Sequence, residues 1–232
     1  MSGLFEAQFW LSLLEIIGVN IVLSGDNAVV IALAARSLPA HQQKKAIVLG
    51  SAAAILMRVL LTIFAIELLK FSYLKLIGSV LLIWIGIQLL LPEGDGEADF
   101  ASKDTLLAAI KTILVADLVM SLDNVIGVAA AAKGDTVLLI LGLAISIPLI
   151  IFGSSLVLRM MERFPVIVTL GGALLGYIAG EMAVNDGAIR PWIEANIPWI
   201  EQPAGILAAL LVVGVGKWLA WRSPGTADHR VV

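Results

Sequence analysis

Asn20-Ile21-Val22-Leu23-Ser24-Gly25-Asp26-Asn27-Ala28-Val29-Val30 and Asp117-Leu118-Val119-Met120-Ser121-Leu122-Asp123-Asn124-Val125-Ile126-Gly127 are two copies of one stretch, set 97 residues apart. Asn20 falls on Asp117, Ser24 on Ser121, Asp26 on Asp123 and Asn27 on Asn124, and each copy runs on into small residues. Both lie inside segments otherwise apolar enough to cross a bilayer. Carboxylates are costly in hydrocarbon and normally face a bundle interior or a wet cavity, which makes them candidates for function. Two matched sets point to one shared site.

The surrounding composition agrees with a membrane setting. Hydrophobic residues make up 60% of the 232 and charged residues 14%, against roughly 45–50% and about 25% in soluble domains; the mean hydropathy is +1.01. A net charge of −3 with scattered basic residues gives no nucleic-acid footprint. The absence of cysteine excludes disulfides and thiolate metal sites. Met1 to Trp10 lack the basic start of a signal peptide, so the first apolar segment is expected to be a retained span.

A crossing helix needs about 20 mainly apolar residues. Seven segments qualify: 8–35, 46–66, 73–91, 105–132, 136–158, 165–183 and 202–221. The first and fourth exceed a straight crossing and must tilt, protrude or break, Gly25 and its counterpart Leu122 being the places for a break. Pro92 to Asp104 is the one clear linker, with Glu93, Asp95, Glu97, Asp99 and Asp104 against Lys103, a net −4. The expected organisation is an all-α polytopic protein: a first three-helix repeat over 1–91, an acidic linker over 92–104, a second three-helix repeat over 105–183, an outward loop over 184–201 carrying Trp192 and Trp199, a seventh helix over 202–221, and a cytoplasmic tail over 222–232. With three spans per half, the second repeat is inverted relative to the first, the plan of secondary transporters whose site sits near the midplane.

Basic residues set the orientation. An outside N-terminus puts Arg36, Lys44, Lys45, Lys103, Arg159, Arg163, Lys217, Arg222 and Arg230 in the cytoplasm and leaves only Lys70, Lys75, Lys133 and Arg190 outside. The expected placement is therefore the plasma (inner) membrane, N-terminus out and C-terminus in. Gly172, Gly176 and Gly180 form a stripe suited to close helix packing, and Pro148 is expected to kink the fifth span for structural reasons.

On a helix Asn20, Ser24 and Asn27 share a face, as do Asp117, Ser121 and Asn124. Asp26 and Asp123 stand about 240° around from positions 20 and 117; they join that site only if the helix unwinds nearby or they face another neighbour. The whole set holds three carboxylates, three carboxamides and two hydroxyls, with no sulfur or imidazole. Oxygen-only donors suit Mg²⁺, Ca²⁺ or Mn²⁺ rather than softer ions. The alternative is that these polar groups are interhelical glue, a role Asn and Ser often fill and carboxylates rarely do. Glu15, three turns before Asp26, is a candidate proton-path residue, and Arg58 a candidate counter-ion for the empty site. Lys111 is expected to snorkel to the interface, and Glu67 and Glu181 to be solvated. The spans hold no histidine, cysteine or activated nucleophile pair, so an enzyme is not expected.

Ser24 to Ala32 and Asp117 to Asn124 resemble the paired signatures of the TerC family, and the chain as a whole is similar to its short, YjbE-like branch. The resemblance implies an inverted-repeat fold of the LysE-like superfamily and export of a metal ion, manganese foremost. It implies metal-site roles for Asp26, Asp117 and Asp123, with the metal as transported substrate and no tightly bound cofactor. Asn20, standing where the second copy has Asp117, makes the halves chemically unequal. Two other functions stay open at this point: a LysE-like exporter of a small organic solute, and a membrane assembly or metallation factor. Homo-oligomerisation is also open.

Overall fold

The computed structural model describes residues 7–22, 25–64, 71–91, 102–132 and 136–222, with side chains for all of these except 7–9, 12, 19–22, 102–105, 123, 125–132, 136 and 138. The helices are α1 (Ala7–Val22), α2 (Gly25–Arg36), α3 (Ala40–Ile63), α4 (Leu74–Leu90), α5 (Ser102–Ala132), α6 (Thr136–Arg163), α7 (Val166–Val184), α8 (Arg190–Asn196) and α9 (Glu201–Arg222), with a single 3₁₀ turn at Pro198–Ile200. No strand occurs among the described residues. Residues 92–101 of the acidic linker, Glu67, Lys70 and Lys133, and the tail from Ser223 lie outside them.

Four helical stretches are long and apolar enough to cross a membrane: Ala40–Ile63, Leu139–Arg163, Val166–Val184 and Pro198–Arg222; α4 is a shorter apolar helix. The observed helices overrun the apolar windows where polar residues follow on. His41 to Lys45 form the first turns of α3, and Arg159 to Arg163 the last of α6. Hydrogen bonding carries a helix past the hydrocarbon edge as long as its side chains can stand in the interface. Two expectations change. The segment 184–201 is not simply a loop, since it holds α8 and the 3₁₀ turn, with Pro191 at the start of one and Pro198 of the other, positions where proline's missing N–H costs nothing. The long second-half helix runs unbroken through Leu122, whereas the first copy of the signature is divided between α1 and α2, with Leu23 and Ser24 outside the described residues.

Polar and apolar residues are distributed inside out. Trp10, Leu11, Leu56, Ile77, Trp84, Phe152 and Leu210 stand exposed on the outer faces, while Arg58, Asp117, Ser121, Ser146 and Ser154 are buried. Among soluble folds so much exposed apolar surface would aggregate; against lipid tails it costs nothing, and the protein is an integral membrane protein.

Small residues set how closely the helices approach. A methyl group on Gly176 would fall 2.7 Å from the Ala208 carbonyl oxygen, and one on Gly180 would strike that of Ala204, so α7 lies backbone to backbone on α9. The expected packing role of this stripe is what is found. Gly86 of α4 faces Val212, and Gly216 of α9 faces Leu90, which closes α4, α7 and α9 into one block. Elsewhere α3 packs on α5 through Gly50 against Ile113, and α6 packs on α1 through Gly142 against Ile16.

Gly176→Leu and Gly180→Leu are expected to abolish or severely destabilise the folded protein, since the obstructing atoms are backbone. Gly214→Ala on α9, where an added methyl meets nothing within 4 Å among the described residues, should be neutral or stabilising by up to about 1 kcal/mol. Thermal unfolding of the detergent-purified variants measures both.

Candidate functional site

At the centre of the bundle, α3 and α5 cross through a buried polar cluster. Arg58 is the largest fully buried side chain described, 1% exposed, and it meets Asp117 (4%) and Ser121 (0%). Its Nη2 donates to Asp117 Oδ1 at 2.5 Å, and its Nε donates to Ser121 Oγ at 3.1 Å. Ser121 Oγ in turn donates to Asp117 Oδ2 at 3.3 Å. The i, i+4 spacing on α5 presents the carboxylate and the hydroxyl on one face, and the planar guanidinium spans both, a geometry lysine could not reproduce. Thr62 Oγ1 donates to the Arg58 carbonyl at 2.8 Å, holding that turn of α3.

Asp26 enters from α2. It occupies the first turn, where its Oδ1 accepts from the Asn27 backbone N–H at 2.9 Å, and the positive end of the helix favours its negative charge. Both the Arg58 guanidinium and the Asp117 carboxylate act on it electrostatically, so it belongs to the same charge cluster. Next to it, Asn27 is 2% exposed, and neither its Oδ1 nor its Nδ2 has a hydrogen-bond partner among the described residues. A buried carboxamide without partners costs on the order of 1–3 kcal/mol per orphaned group, which makes it a donor set awaiting a ligand or a neighbour.

The structure thus joins Arg58, Asp117 and Ser121 in one hydrogen-bonded cluster, with Asp26 near enough to feel the charges of Arg58 and Asp117 and with Asn27 beside Asp26. Asn124 is partly buried one turn beyond Ser121. The side chains of Asn20 and Asp123, and all of Ser24, lie outside the described residues. Among the described residues no three His, Cys, Asp or Glu side chains form a metal-holding group; the described carboxylates of the set are Asp26 and Asp117. Glu15 stands on the exposed face of α1 and Lys111 on that of α5.

A cavity of about 270 Å³ opens between the start of α4 and the turn after α7, lined by Ser72, Lys75, Asp186 and, at its far side, Leu122. Asp186, 2% exposed, shapes it: Oδ2 accepts from the Leu76 N–H at 3.1 Å and Oδ1 from the Ala188 N–H at 2.9 Å. Sequence reading passed Asp186 over. Its one signal is an Asn-Asp-Gly run after an apolar span, which marks a turn and does not reveal that the carboxylate caps a helix 110 residues away.

Residues 5–223 match the family described as "Integral membrane protein TerC family". The chain is 45% identical over 218 residues to "Uncharacterized membrane protein YjbE" of Bacillus subtilis (strain 168), covering 91% of this chain and 100% of the relative. It is 25% identical over 240 residues to "Uncharacterized membrane protein YkoY" of the same organism, 92% of this chain and 74% of that one. To "UPF0053 inner membrane protein YgdQ" of Escherichia coli (strain K12) it is 27% identical over 187 residues, 73% and 78% of the two chains. No solved structure matches.

Removing one partner of a buried ion pair strands the other, at a cost of about 3–5 kcal/mol. Asp117→Ala and Arg58→Ala should each destabilise the protein by that order. The double variant Arg58→Met, Asp117→Leu should recover most of the loss. A double-mutant cycle on unfolding midpoints reads the coupling; strictly additive losses would show that the pair does not interact.

Proposed function

The chain belongs to the TerC family, and on that premise we propose that it is a membrane transporter exporting a divalent metal cation, Mn²⁺ foremost, by alternating access around Asn20, Ser24, Asp26, Asn27, Asp117, Ser121, Asp123 and Asn124. The observation that carries the reading is the oxygen-donor cluster buried where the two signature copies meet. Carboxylate, hydroxyl and carboxamide oxygens are what a hard divalent cation takes, and the buried Asn27 carboxamide, without a hydrogen-bond partner among the described residues, has an oxygen to give.

The architecture proposed for it is the seven-span inverted repeat, of the LysE-like type, N-terminus outside. Helix packing supports the exchange of halves: α3 on α5 answers α6 on α1 and α2, α4 meets its counterpart α7, and α4 on α5 answers α7 on α2. The isoleucines under Gly50 and Gly142, Ile113 and Ile16, are themselves 97 residues apart, the offset of the repeat. In the rival reading Arg58 would have to leave Asp117 and Ser121, which it engages here, to receive the carboxylate of an organic solute.

Three aspartates at a dry midplane cannot all remain ionised once the metal has left, and Arg58 balances one of them. Protons balance the remainder, which makes exchange of outgoing metal for incoming protons the natural cycle. Proteoliposomes holding the protein should move Mn²⁺, faster with protons entering against the metal's exit and slower when the proton side is alkaline. Asp123→Asn should keep the fold and abolish or uncouple transport, while Asp95→Asn in the linker should do neither. Mn²⁺ flux no greater than in protein-free liposomes sinks the proposal; flux indifferent to the pH gradient sinks the coupling alone.

A further inference from the structure

Two crossings in this protein are built on the same contact. In one, Gly50 of α3 lies on Ile113 of α5; in the other, Gly142 of α6 lies on Ile16 of α1. Following each helix eight residues past its glycine gives Arg58 in the first and Ile150 in the second, and four residues past each isoleucine stand Asp117 and Asn20. One crossing therefore carries a cation and an anion at the positions where the other carries an aliphatic and a carboxamide. Ile150 is itself buried. At the position matching Arg58 the second crossing places a buried isoleucine, so the glycine-on-isoleucine contact does not by itself call for a cation there. Buried ion pairs are often no more stabilising than the apolar residues that could replace them.

From this we infer that Arg58 is a tethered competitor for the cation site, a guanidinium that occupies Asp117 and Ser121 when no metal is bound and must withdraw for a divalent ion to bind there. The inference rests on reading the cluster as a cation site. Its geometry fits the role. The guanidinium takes one Asp117 oxygen directly and the Ser121 hydroxyl as well, so these two α5 donors are used by the protein's own cation. The hydroxyl is at the same time turned toward the second Asp117 oxygen, at 3.3 Å. A metal ion approaching Asp117 meets a site already neutralised, and it binds by exchanging a fixed single charge for a mobile double one. Affinity is thereby lowered by the strength of the internal pair, a device that lets a site with several carboxylates release its ion. Among the described residues this arrangement occurs at the α3–α5 crossing, so release is governed from one half of the molecule.

The test uses the full chain in lipid nanodiscs, with Mn²⁺ alone as the probe, and reads equilibrium binding by calorimetry or EPR together with the shift in unfolding temperature on adding Mn²⁺. Arg58→Met keeps the bulk of the side chain and removes the competitor; it should bind Mn²⁺ roughly tenfold or more tightly than wild type, with a larger metal-induced thermal shift. A folded R58M that binds Mn²⁺ equally or more weakly overturns the inference and leaves the metal-site reading standing. Absence of binding by wild type and R58M alike overturns that reading and this inference with it. Should R58M fail to fold, Arg58→Lys decides: it keeps the charge but loses the two-pronged grip, and an affinity between wild type and tenfold tighter is expected, while an unchanged one overturns the idea.

Discussion

A charge placed among helices that have hydrocarbon on their outer side must find its neutraliser inside the bundle, and the bond from Arg58 to Asp117 is that constraint met. The outer faces of α3 and α5 are apolar, with Leu56, Leu60 and Leu107 exposed, so neither residue could turn outward. Satisfying the guanidinium fixes the rotation of α3 about its axis and the face α5 shows it. Ser121 and Thr62 complete the local hydrogen bonding from the same two helices. Asp26, arriving from α2, joins a cluster whose charge has already been partly settled.

Much of this was legible in the sequence because the two signals involved are local. Long apolar windows give spans, and a duplicated Ser-x-Asp-Asn stretch inside them gives a candidate site. The glycine stripe on α7 was equally readable, since four-residue spacing puts Gly172, Gly176 and Gly180 on one face whatever the partner. The partner was not readable. That Gly176 and Gly180 meet α9, while Gly172 meets Leu90 of α4, depends on tertiary arrangement. The same holds for Arg58: its position in an apolar span advertises a buried cation, but the choice of Asp117 over other carboxylates needs the crossing of α3 and α5. Asp186 was invisible for a related reason, because its capping of α4 is a contact between distant segments and leaves no periodic trace. Helix ends were misplaced where polar residues extend α3 and α6 beyond the apolar window, since hydropathy reports the membrane and not the hydrogen-bond ladder.

The unequal chemistry of the two signature copies has a structural counterpart. In the first copy Asp26 sits in the first turn of α2, where its Oδ1 accepts from the Asn27 N–H. The second lies within one unbroken helix, where the backbone groups are already used and the side chains of Asp117 and Ser121 must find partners elsewhere. A backbone N–H is bonded to the first carboxylate, and a side-chain cation to the second. Glycine at position 25 and leucine at the matching position 122 are the sequence difference that runs parallel to this.

Helix α9 packs on two helices that also pack on each other: α4 through Gly216 and Leu90, and α7 through Gly176 and Gly180. Mechanically it is a keel. Because the contact with α7 is backbone on backbone, the two cannot slide without lifting apart, and α4 cannot leave α7 without also leaving α9. The three therefore behave as one frame, and the polar cluster of Arg58, Asp117 and Ser121 stands outside it, on α3 and α5.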